Sequence, residues 1–152
     1  MLNGIATSEQ RELVERASYE ARGVVSVSQA IMNAFIQLFQ SQAGHDLGVK
    51  IDMKSEGEYV VYSPFGEARA NISTQVGEQG IEGVIDFRKM CIDQYNRTCW
   101  RSAWQLRVVP GRYFAGNDSV SHSLDHLRGA NLYSVGTTIL YAIGRIPLYC
   151  ES

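Results

Sequence analysis

The stretch Gly23–His45, GVVSVSQAIMNAFIQLFQSQAGH, contains no Asp, Glu, Lys or Arg, in a chain of 152 residues of which 20% are charged. Its apolar residues Val24, Val27, Ile31, Phe35 and Leu38 recur at spacings of three and four, the stripe of an α-helix. A second apolar row follows at Val25, Met32, Ile36 and Phe39. The row that remains, Ser26, Gln29, Asn33, Gln37 and Gln40, is polar but uncharged, where a surface helix carries Lys and Glu. A helix of this make-up has at least two covered faces. Either a sheet wraps it or a second subunit packs on it, and the sheet is the simpler reading. With Ser28 and Gln42 added, the polar residues are too many for a membrane span of about 20 residues.

Toward the amino terminus the stripe continues through Ala21, Ala17 and Leu13. Thr7 and Gln10 have the spacing of a capping box, in which each side chain satisfies the other residue's free N–H. Glu12, Arg16 and Glu20, four apart, support a wet face. Gly23 is expected to break or bend the helix and Gly44 to end it.

Beyond Gly48 the period falls to two. Val49, Ile51 and Met53 alternate with Lys50, Asp52 and Lys54, the pattern of a half-buried strand. Turn signals at Ser55–Gly57, Pro64–Gly66 and Gly77–Gly80 separate further strands at Glu58–Ser63, Ala68–Val76 and Ile81–Arg88. Such short connections make an antiparallel meander. Lys89–Tyr95 reads as a short helix or irregular crossing. Cys99–Val109 alternates again, with Trp100, Trp104, Leu106 and Val108 on one face and Arg101, Ala103, Gln105 and Arg107 on the other. Asn117–Ser119 is placed to cap a helix bearing Val120, Leu124 and Leu127. The second charge-free segment, Gly129–Gly144, is the element expected to cover one face of the first helix, its lone Arg128 and Arg145 standing just outside. Its Tyr, Val, Thr and Ile content favours strand over Ala130–Ile143, although Leu132, Val135, Ile139 and Ile143 also fit a helix.

The expected fold is therefore α+β over a single domain, 1–152. A long amino-terminal helix packs on a curved antiparallel sheet of about five to seven strands, with a short additional helix near 119–128. A helix embraced by a curved sheet often leaves a pocket between the layers, and the sequence leaves open whether Phe35, Phe39, Trp100 and Trp104 fill it.

Net charge is −2, which gives no general attraction to nucleic acid or anionic membrane. Three cysteines, Cys91, Cys99 and Cys150, lack the C-x-x-C spacing of zinc or redox sites and read as reduced thiols of a cytoplasmic protein. The amino terminus does not read as a signal peptide. No metal site, cofactor or catalytic set is assigned from the sequence.

The strongest local anomaly is Asn96–Asn117, with Arg97, Arg101, Arg107 and Arg112, no acid, and interleaved aromatic residues. Arg forks onto carboxylates and stacks on rings, so Arg97, Arg101, Arg107, Arg112 and Tyr113 are the expected contacts to a partner. The expected partner is another protein with an acidic surface, and the chain reads as an inhibitor, immunity factor, adaptor or assembly component. A second copy of the chain, docking through the 24–42 helix, is a further partner. Two alternatives stand beside this. One is a small enzyme or small-molecule binder using His122, Asp125 and His126 in the helix–sheet pocket. The other is a nucleotide or single-stranded nucleic-acid binder through 97–113, which the acidic remainder of the chain disfavours.

Overall fold

The computed structural model describes residues 4–77 and 80–150. Helix α1 (Ser8–Gln40) begins as its sequence requires: Thr7 Oγ1 accepts from the Gln10 N–H at 3.2 Å, and Gln10 Oε1 accepts from the Thr7 N–H at 2.8 Å. It runs 33 residues, about 50 Å, without interruption at Gly23. The expected break is absent because the turns on either side are anchored: Ala17, Val24 and Ile81 pack together on the sheet. The end differs too. Ser41 is extended (φ −78°, ψ 179°) and stops α1; α2 (Gln42–Leu47) follows and closes at Gly48, in the left-handed region at φ +67°. Gly44 serves the junction instead, since a Cβ there would lie 1.8 Å from the Phe39 carbonyl oxygen.

Seven antiparallel strands follow: β1 (Lys50–Ser55), β2 (Glu58–Ser63), β3 (Gly66–Gly77), β4 (Gly80–Ile92), β5 (Thr98–Val109), β6 (Arg112–Ala115) and β7 (His122–Ser123). Their order in the sheet is their order in the chain. The turn expected at Glu78–Gln79 lies outside the described residues. Strand β4 continues to Ile92, which corrects the helix or crossing expected over Lys89–Tyr95. The reversal after it is built by Asp93, whose Oδ1 accepts from the Tyr95 and Arg97 N–H groups at 2.9 Å each, with Asn96 left-handed at φ +61°. The short helix near 119–128 is a single 3₁₀ turn, Leu124–His126, capped by Ser123 rather than by Asn117–Ser119.

Helix α3 (Gly129–Arg145) occupies the segment read as strand. Periodicity prevails over composition here. Leu132, Gly136, Ile139, Leu140 and Ile143 are its buried residues, at spacings that only a helix puts on one face. Gly136 is a poor helix former, yet a Cβ there would stand 2.8 Å from Phe39 Cζ. The missing side chain admits the Phe39 ring and lets α3 lie against α1.

Strand registers put Ile51, Tyr59, Val61, Ala70, Phe87 and Leu106 on one face of the sheet. That face forms one core with Ile31, Met32, Phe35 and Phe39 of α1 and Leu132, Ile139, Leu140 and Ile143 of α3. Each fully buried side chain of this size contributes about 1.5–3 kcal/mol. Helix α1 approaches most closely at Gly83, where a Cβ would meet Val24 Cγ1 at 2.6 Å and Ser28 Oγ at 2.7 Å. Ser28 is fully buried there and donates to the Val24 carbonyl at 2.9 Å. The space between the layers is filled. The void among Phe35, Phe39, Phe87 and Gly136 is about 10 Å³, too small for more than one water. No helix among the described residues is long and apolar enough to cross a membrane.

One irregularity controls everything beyond it. Phe87 pairs with Trp104 and Arg88 with Ser102, so Ala103 is an extra residue in β5. A bulge of this kind reverses which residues face the core. Trp104 points to the helices; Trp100, expected beside it, points the other way.

Candidate functional site

Both long helices lie on one face of the sheet; among the described residues no helix packs on the other, which we call the open face, although Val60, Val84 and Asp86 on it are buried. The bulge at Ala103 divides the expected arginine row between the two. Arg107 and Arg112 belong to the open face. Arg107 lies 4.6 Å over its cross-strand partner Phe114, and Arg112 donates to Ser121 Oγ at 2.5 Å and to the Ser121 carbonyl at 2.9 Å. Arg101 sits on the helix-bearing face, opposite Lys89. Arg97 is in the β4–β5 turn, ion-paired to Asp93 at 3.2 Å and stacked 4.9 Å over Tyr95. Tyr113 leaves the contact set: it is 5% exposed and part of the core, because its register with Val108 turns it inward.

The open face also holds residues that composition does not single out. Arg69 of β3 stacks 4.4 Å over Trp100, with its Nε buried and unpaired. Arg88 pairs with Asp86 at 2.5 Å, and Asp86 accepts from Ser102 at 2.7 Å. Toward one end, Arg112 and Phe114 line a groove of about 450 Å³ with Val109, Pro110 and Glu82. Between β5 and the exposed part of α1, Tyr19, Val24, Val27 and Val109 line a second groove of about 350 Å³.

His122, Asp125 and His126 do not converge. His122 lies on β7 beside Tyr113 and reaches Asp118 at 3.4 Å, whereas Asp125 and His126 are exposed on the 3₁₀ turn. The Asp118 carboxyl is held below its usual range by the Val120 N–H first and by His122 second.

The residues that do converge are the cysteines. Cys91 and Cys99 face each other across β4 and β5, and Cys150 is brought beside them by a parallel bridge between Ile92 and Tyr149. All three sulfurs lie within 4.8 Å of one another, and Cys99 and Cys150 are 3.3 Å apart. Among the described residues they are the one group of three His, Cys, Asp or Glu close enough to share an ion. Cys91 is fully buried, and its thiol donates to the Lys89 carbonyl at 3.6 Å. Burial first, and then Cys150, push the Cys91 thiol up to about 11. Cys150 likewise raises Cys99. Beside them Lys89, itself buried, donates its amine to the Ile146 carbonyl at the end of α3.

The spacing of Cys91 and Cys99 carries the signal. Residues eight apart about a tight reversal centred on Tyr95 stand opposite each other in a hairpin, and reading Lys89–Tyr95 as a helix conceals it. Nothing in the sequence points to Cys150. Comparison with protein-family models, curated proteins and solved structures finds no match to this chain, so its site is read from its own geometry.

Proposed function

We propose that the protein is a non-catalytic binding module that engages an acidic surface of another protein through the open sheet face. One observation supports this above the rest. The sheet is layered on one side only, and the β5–β6 half of its free side presents Arg107, Arg112 and Phe114 with no acid on either strand. Arg and aromatic groups are the side chains enriched at protein interfaces. A cytoplasmic location is part of this reading, supported by three cysteines that lack the spacing of a disulfide framework.

Protein is preferred to single-stranded nucleic acid for a physical reason. Base stacking needs free aromatic faces. Here the Phe114 and Trp100 rings are already covered by the guanidinium groups of Arg107 and Arg69. The filled space between the layers leaves the His122, Asp125 and His126 reading without its pocket.

The test is charge reversal, Arg107→Glu with Arg112→Glu, in protein immobilised against its native extract. The expected result is loss of an acidic protein retained by the wild type, from a variant that still unfolds in one cooperative transition, since Arg112 is exposed and Arg107 half-buried outside the core. Equal retention by a folded double variant overturns the proposal. Retention of nucleic acid that falls steeply with salt moves the assignment to the nucleic-acid reading.

A further inference from the structure

The geometry points to a second site, independent of the open face: Cys91, Cys99 and Cys150 form a three-thiolate centre for one thiophilic divalent cation of the zinc class. A cation about 2.3 Å from each sulfur needs the sulfurs about 3.8–4.0 Å apart, for angles between tetrahedral and trigonal. The three lie within 4.8 Å, and Cys99 and Cys150 at 3.3 Å have only to open slightly. Cys99 and Cys150 are half-buried, so rotation of their side chains suffices.

The backbone holds all three positions. Cys91 and Cys99 are fixed by pairing of β4 with β5. Cys150 is fixed by its own N–H, which donates to the Ile92 carbonyl at 2.9 Å, and by the Ile92 N–H, which donates to the Leu148 carbonyl at 2.7 Å. The cation would thus tie the segment after α3 to the centre of the sheet.

Charge and chemistry agree with this set. Thiolates select soft ions over magnesium or calcium. Binding releases three protons to solvent, and three thiolates with a divalent cation leave one net negative charge. Arg101 faces the same side of the sheet, two residues from Cys99, and supplies the opposite charge. The Asp93 carboxylate is occupied by Tyr95 and Arg97, so the fourth position falls to water where Cys99 and Cys150 reach solvent. A Cys99–Cys150 disulfide is the competing chemistry. It would use two sulfurs and leave the fully buried Cys91 thiol without a function.

The experiment uses the full chain, reduced and stripped of metal. Zn²⁺ is titrated against a chromophoric chelator, and Cd²⁺ is followed by its sulfur-to-metal absorption. One ion per chain, an absorption of three thiolates and protection of all three cysteines from alkylation are expected. Cys99→Ser and Cys150→Ser should each weaken binding by more than about 100-fold, the upper end of what an outer-shell partner is worth. Cys91→Ala should do the same; should it fail to fold, the other two variants decide. Absorption of only two thiolates, or undiminished affinity in Cys150→Ser, overturns the assignment. So does a reduced chain that takes up no Zn²⁺ but forms a Cys99–Cys150 disulfide with oxidised glutathione.

Discussion

Gly23 of α1 and Gly83 of β4 have opposite consequences. Gly23 is exposed on α1, and a methyl group added there would find no heavy atom within 4 Å, so its flexibility serves no contact. Gly23→Ala should raise stability by about 1 kcal/mol, measured by thermal or urea unfolding. Gly83 lies under Val24 and Ser28, where even a methyl group would overlap both. Gly83→Val should cost about 1–3 kcal/mol through overpacking, and an unchanged midpoint would show that α1 does not bear on the sheet there. Sequence alone ranks neither glycine above the other. Gly23 falls inside a helical stripe and Gly83 inside a strand pattern, and the sign depends on what stands across the interface. The cysteines fail to announce themselves for the same reason: two of their three separations are set by pairing, not by spacing.

Elements are legible where one period dominates. Helix α1 and strand β1 follow from the periods of 3.6 and two, and β2 and β3 from the turn signals that bound them, since Tyr59, Val60 and Val61 are buried in succession. Helix α3 is concealed by its β-branched residues, whose strand preference is overridden once Phe35 and Phe39 offer a surface at helical spacing. The bulge is concealed because Ala103 is compatible with either face, so the alternation of β5 reads as continuous. At the sheet's far edge, the short β7 is held by polar contacts more than by burial, and it responds to pH. Asp118 accepts from the Val120 N–H at 3.2 Å and contacts His122, and its carboxyl is depressed accordingly. A depressed carboxyl stabilises the fold above its ordinary value of 3.8, and that contribution is lost as pH falls through the lower folded value. Protection of the Val120 and His122 amides, taken relative to their intrinsic exchange at each pH, should therefore fall under acid before that of β3 and β4. Asp118→Asn should remove this pH-dependent loss of protection; protection that stays constant with pH in the wild type would refute the contact.

At the scale of the molecule, the two proposed sites draw on what the sequence presents as one segment. Residues 97–113 contain both Cys99 with Arg101, facing the helices, and Arg107 with Arg112, facing outward. The arginine row is legible as composition, but its partition is not, since an inserted residue changes facing without changing composition. Strand order has a further consequence, for how the chain folds. Every strand pairs with its neighbour in sequence, so the sheet needs no long loop to close before its hydrogen bonds form. The docking of α1 and α3 and the clasp of Cys150 to Ile92 join distant parts of the chain and close after the sheet. Substitutions in the β3–β4 hairpin should therefore slow refolding, while Ile143→Ala in α3 should chiefly accelerate unfolding, as stopped-flow kinetics would resolve. A chain emerging amino terminus first would hold its longest apolar helix exposed until β4 is made, and the uncharged side chains of 23–45 would meet other chains during that interval.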